Sequence, residues 1–176
     1  MPNHVTNELI FRDASPNEQN EIVKRLCAPL QPATVDFSIL VPEPLNLWMG
    51  NEGVDHERAF GKRLGMVWAR ENWGTKWNAY NTRPVIWTEH TLTLVFDTAW
   101  SPPYPWLAAV FNSLKRGFEH NWFDEGASRA VSGRWDYSKL GELAAQPWVE
   151  RQATDEVHKR LHVLKWGVEA FEDEGA

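Results

Sequence analysis

Residues 85–114, VIWTEHTLTLVFDTAWSPPYPWLAAVFNSL, pass from strand to helix across one proline-rich break. Over residues 91–97, Leu92, Leu94 and Phe96 alternate with other residues, the two-residue period of a strand with one face toward a core. Residues 85–89 read as a further strand before it, paired with it or preceding it. Pro102, Pro103 and Pro105 remove amide donors that a ladder needs, so the sheet stops there. Their preset φ also suits the first turn of a helix, and Trp106, Leu107, Val110, Phe111 and Leu114 then mark one apolar stripe at helical spacing.

Upstream, residues 5–11 alternate as a strand with Val5, Asn7, Leu9 and Phe11 on one side. Ser15, Pro16, Asn17 and Glu18 form a capping box with proline at the first helical position, and Ile22, Val23, Leu26 and Leu30 keep the helical period up to Pro29. Residues 34–41 alternate again, with Val35, Phe37, Ile39 and Val41 inward, until Pro42 and Pro44 end the run. After an irregular segment, Asp55 is the expected N-cap of a helix carrying Phe60, Leu64, Val67 and Trp68 and ending near Gly74; Gly61 and Gly65 weaken it.

Downstream, residues 118–123 and 129–135 alternate about Asp124, Glu125 and Gly126, which predicts a hairpin. Gln146 and Pro147 open a C-terminal extension in which Thr154 caps a last helix, with Asp155 and Glu156 near its positive end. Val157, Leu161, Leu164, Val168 and Phe171 make a narrow apolar seam, expected to dock within the chain. The order of elements predicts an α+β fold: an antiparallel sheet with helices on one face, a ferredoxin-like sandwich, plus a C-terminal helix. Residues 1–137 are the expected domain and 138–176 the extension.

With 176 residues, 43% hydrophobic and 24% charged, the chain has the composition of one folded domain. It has no long apolar run, and MPNHVTNELIF lacks the basic and apolar segments of an export signal, so a cytoplasmic location and no membrane partner are expected. Cys27 is the single cysteine, which excludes an internal disulfide and a thiolate cluster; it is expected to be a small buried hydrophobe. The net charge of −6 disfavours ordinary nucleic-acid binding and suits a basic protein partner. Eleven tryptophans exceed what a core of this size needs, so some are expected on a groove or partner surface.

Two stretches, NWGTKW (Asn72 to Trp77) and FDTAWSPP (Phe96 to Pro103), resemble the Api92-like, YubB-type family of phage and plasmid proteins. The opening MPN with Asn7 and Leu9, the PEP of Pro42 to Pro44, and Glu125, Gly126, Gly133 and Trp135 add to it. The resemblance covers roughly the first three quarters of the chain and implies a ferredoxin-like domain in a bacterial host cell; the family's function is not established. The family more often carries Trp and Cys after MPN, where this chain has His4 and Val5. The fold name describes topology and implies neither an iron–sulfur cluster nor any activity.

In NWGTKW, Trp73 and Trp77 flank Thr75 and Lys76. They are either an aromatic rim where indoles stack on a ligand while Lys76 meets an anion, or a helix end whose tryptophans close the core. Asp97 is either a turn-ordering acceptor or a general base or metal ligand, and no second carboxylate stands at a fixed spacing beside it. His158 and His162 lie one helical turn apart without the glutamate of a zinc protease motif, and a solvated pair is expected. The sequence holds no phosphate loop, dinucleotide fingerprint or nucleophile elbow. The RNP1 pattern of an RRM is absent as well.

These features predict a non-catalytic interaction module of a mobile genetic element, with no cofactor and no metal. Its contact surface is expected to be built from Asn72, Trp73, Thr75, Lys76, Trp77, Asp97 and Trp100 and to bind a host or element-encoded protein. Two alternatives remain open. One is single-strand nucleic-acid binding through the same indoles; the other is an enzyme using Asp97, Lys76 or His90.

Overall fold

The computed structural model describes residues 3–50, 53–136 and 148–168. In chain order the elements are β1 (His4–Arg12), α1 (Pro16–Leu26), β2 (Cys27–Ala28), β3 (Thr34–Val35), α2 (Phe37–Leu40), α3 (Val54–Phe60) and α4 (Gly65–Asn72). There follow β4 (Ile86–Trp87), β5 (Thr91–Ala99), α5 (Tyr104–Leu114), β6 (Phe118–Asp124), β7 (Val131–Trp135), β8 (Trp148–Gln152) and α6 (Asp155–Trp166). The main sheet has the order β4-β5-β1-β6-β7-β8, antiparallel throughout.

Strand β1, then the β4–β5 hairpin, then β6, joined by α1 and α5, are the two split βαβ units of a ferredoxin-like fold. The expected α+β architecture is present, and β7 and β8 lengthen the sheet beyond the four-stranded core. Alternation along the strands divides the apolar residues between two faces. Leu9, Phe11, Leu92, Leu94, Phe96 and Phe118 meet Ile22 and Leu26 of α1 and Trp106, Leu107, Val110 and Phe111 of α5. Phe123 faces the other way and packs with Ala130, Ala153 and Leu161, so α6 covers part of the second face.

The start of α1 forms as its sequence dictates: Ser15 Oγ accepts from the Glu18 amide and the Glu18 carboxylate accepts from the Ser15 amide. Cys27 follows α1 and is buried, and that burial pushes its thiol up to about 12. Thr154 caps α6 by accepting from the Val157 amide.

Three local expectations are corrected. The alternating run at 34–41 keeps only Thr34–Val35 as strand, because Asp36 Oδ1 accepts from the Ser38 amide at 2.9 Å and caps the short α2. Asn78 reinforces that turn, accepting from the Phe37 amide and donating to Asp36 Oδ1 at 2.7 Å. Local capping thus overrides the two-residue period. The helix expected from Asp55 to Gly74 is broken into α3, a 3₁₀ turn and α4, because Gly61 adopts φ of +53° and the chain turns there to pair with residue 48. The strand at 85–89 shrinks to Ile86–Trp87, an exposed edge. Of the C-terminal seam, Leu161 is fully buried and Val168 is exposed, while Phe171 lies outside the described residues.

Candidate functional site

The two long motifs meet at the far end of β5. Asn72 is the last residue of α4, and its side-chain amide donates to the Trp68 carbonyl at 2.9 Å. Trp73 follows it inward, 1% exposed, with its indole N–H donating to the Val41 carbonyl at 2.9 Å and its ring set edge-on to Phe37 and Trp68. Gly74 then takes φ of +85°, and a Cβ there would stand 2.3 Å from Pro105 Cδ. Only glycine permits that backbone and that approach together.

Thr75 locks the joint. Its hydroxyl donates to the Ala99 carbonyl at 2.8 Å and accepts from the Ala99 amide at 3.0 Å, while Ser101 Oγ donates to the Gly74 carbonyl at 2.5 Å. Trp73 and Thr75 are therefore structural, and their expected place on a contact surface is corrected. An indole whose N–H finds a backbone acceptor between two other rings is held in the core.

Trp77 and Trp100 remain outside, 38% and 51% exposed. Lys76 Nζ sits 5.1 Å from the Trp77 ring centroid, a cation–π contact at the surface. Trp77 also approaches Tyr80, with ring centroids 6.2 Å apart. Tyr80 Oη donates to the Thr98 carbonyl at 3.1 Å and lies 2.6 Å from His4 Nδ1. Burial and the nearby Asp97 and Glu125 carboxylates push that phenol up to about 12. On the neighbouring side, the Trp100 amide donates to the Asn3 carbonyl at 2.9 Å. Its φ of +74° is unusual for a bulky side chain. Trp77 and Trp100 thus stand about the start of β1, joined by Tyr80, His4 and Asn3.

Asp97 is buried on the face that α6 covers. Asn81 Nδ2 donates to its Oδ2 at 3.1 Å, and Arg83 Nη1 pairs with Oδ1 at 2.9 Å. Its backbone bridges Tyr80 on both sides, at 2.8 and 3.1 Å. Arg83 also donates to the Leu164 carbonyl in α6 at 3.1 Å, so Asp97 ties the chain after NWGTKW to both the sheet and the last helix. Residues 80–83 carry no spacing motif. The one sign available in the sequence was their position directly after NWGTKW.

His158 and His162 take backbone partners, His158 Nδ1 accepting from the Ala130 amide at 3.3 Å and His162 Nδ1 lying 2.9 Å from the Val168 carbonyl. His90 sits in an exposed turn beside Glu89, apart from Asp97 and Lys76. Among the described residues no three histidine, cysteine or carboxylate side chains gather as metal ligands. None of the described helices is long and apolar enough to cross a membrane.

The family described as the ferredoxin-like domain in Api92-like protein matches residues 72–163. The chain belongs to the Api92-like family. The Api92-like match begins at the last residue of α4 and ends inside α6, so it takes in β8 and reaches further along the chain than the quoted motifs. Trp77, Trp100 and the Gly74 joint fall within it. No curated protein and no solved structure matches the chain.

Proposed function

We propose that this Api92-like chain is a non-catalytic interaction module of a phage- or plasmid-borne protein in the bacterial cytoplasm, binding a host or element-encoded protein through the indoles of Trp77 and Trp100. The observation that carries this reading is the display of Trp100: half exposed, on a left-handed backbone, tethered to Asn3. Holding a bulky residue there costs roughly 1–2 kcal/mol, a strain of the kind that collects at functional sites. Tryptophan is also the residue most enriched among the anchors of protein interfaces.

The net charge of −6 favours a partner with a basic surface and opposes a nucleic acid. Capture of proteins from bacterial lysate by the immobilised chain, with and without nuclease, tests the proposal. A protein retained after nuclease and lost with Trp77→Ala/Trp100→Ala supports it. Capture that disappears with nuclease transfers the indoles to the single-strand nucleic-acid reading, and capture unaltered by the double substitution refutes the surface.

A further inference from the structure

Between the second face of the sheet and α6 lies a cleft of about 240 Å³, lined among others by His4, Thr6, Asp97, Glu125, Lys165 and Trp166. Thr6 and Asp97 are register partners across β1 and β5, so their side chains stand together on the cleft floor. Thr6 is 1% exposed and its hydroxyl has no hydrogen-bond partner. Asp97 beside it is ion-paired, its Oδ1 lying 2.9 Å from Arg83 Nη1. A buried hydroxyl without a partner is uncommon in folded proteins, and one that lines a cavity beside a paired carboxylate points to a polar occupant.

The walls carry both signs of charge. Lys165 Nζ donates to the His4 carbonyl at 2.5 Å, and an ammonium has two further donors. The charges acting on it are the Asp97, Glu125 and Asp124 carboxylates and the Arg83 guanidinium, whose own charge is paired with Asp97. His4 is engaged by Tyr80. A simple cation would face Lys165, and a simple anion would face Asp97 and Glu125. A molecule with both charges answers both sides. The indole of Trp166, partly exposed, adds an apolar wall at the rim.

We propose that this cleft binds a small zwitterion of the α-amino acid class, its carboxylate on Lys165 Nζ and its ammonium on the Thr6 hydroxyl and the Asp97 and Glu125 carboxylates. The cleft borders the Trp77 and Trp100 surface at His4 but uses neither indole, and protein capture and ligand binding are measured separately, so either can fail alone.

Isothermal titration calorimetry of the full chain with the twenty common L-amino acids, and with methylamine and acetate as single-charge probes, tests it. At least one amino acid binds, and its N-acetyl and amide derivatives bind about tenfold more weakly or worse. Thr6→Val and Lys165→Met, each checked for an unchanged circular dichroism spectrum, lower the affinity by about tenfold or more. Nuclear magnetic resonance of the unsubstituted protein places the largest ligand-induced shifts at Thr6, Asp97 and Lys165, which keeps the test decisive if a variant fails to fold. No heat from any amino acid up to about 10 mM, meaning water alone in the cleft, overturns the proposal. So do shifts centred elsewhere, or methylamine or acetate binding as tightly as the amino acid.

Discussion

Arg160 of α6 closes on Glu8 of β1 with two hydrogen bonds, Nε to Oε1 at 2.9 Å and Nη2 to Oε2 at 2.8 Å, across 152 positions of sequence. Glu8 is buried, and Asn121 Nδ2 donates to the same carboxylate at 2.8 Å. The central strand of the sheet is thereby fastened to the last helix, beside the apolar contact of Leu161 with Phe123.

Removing one member of such a pair strands the other. Arg160→Met is expected to destabilise the fold by roughly 2–3 kcal/mol, somewhat under the cost for a fully enclosed pair because the guanidinium is partly exposed. The double variant Glu8→Leu/Arg160→Met recovers part of the loss. Urea denaturation of the two variants measures both effects. An Arg160→Met midpoint equal to that of the parent contradicts this role for the pair.

The element types were legible where local chemistry and tertiary packing agree. The capping box at Ser15, the alternation of Leu92, Leu94 and Phe96, and the prolines between β5 and α5 all formed as their chemistry requires. Legibility failed where a contact distant in sequence helped decide the backbone. Asn78 fastens the Asp36 cap that turns residues 36–38 into a helix, and the backbone pairing of Trp48 with residues 63–65 holds the break that Gly61 opens in the long helix. In the candidate site, the abundance of tryptophan announced exposed indoles, but which rings stayed outside depended on backbone acceptors such as the Val41 carbonyl beneath Trp73. The pairing of Thr6 with Asp97 depends on strand register, which no motif in either segment encodes.

Glycine at 74 is required twice over. Gly74→Ala meets both a left-handed backbone and a contact of 2.3 Å with Pro105, so it is expected to cost about 2 kcal/mol or more. Gly61→Ala shares the positive φ but finds open space, and costs about 1 kcal/mol. Thermal unfolding of the two variants compares them directly, and equal losses disprove the close packing of Gly74 against the first turn of α5.

His120 predicts how stability varies with pH. Its ring is fully buried beside Asn7, Nε2 lying 3.0 Å from Oδ1, and burial lowers its pKa from 6.5 to about 3. Below about 6.5 the unfolded chain takes up a proton that the folded ring refuses, so this contribution to stability is full above that pH and falls away toward about 3. Between pH 7 and pH 4 the parent is expected to lose about 3 kcal/mol more than His120→Gln. Parallel losses in urea titrations at the two pH values rule out the buried neutral imidazole.

Site-specific photocrosslinking tests the proposed contact surface most directly. A photoreactive phenylalanine analogue is placed in turn at positions 77, 100 and 87, Trp87 being an exposed indole on the edge strand β4, away from the proposed surface. Illumination in bacterial lysate is expected to join the same protein to positions 77 and 100 and to leave position 87 unlinked. Crosslinks formed at position 87 alone, or to nucleic acid in place of protein, contradict recognition of a protein by Trp77 and Trp100.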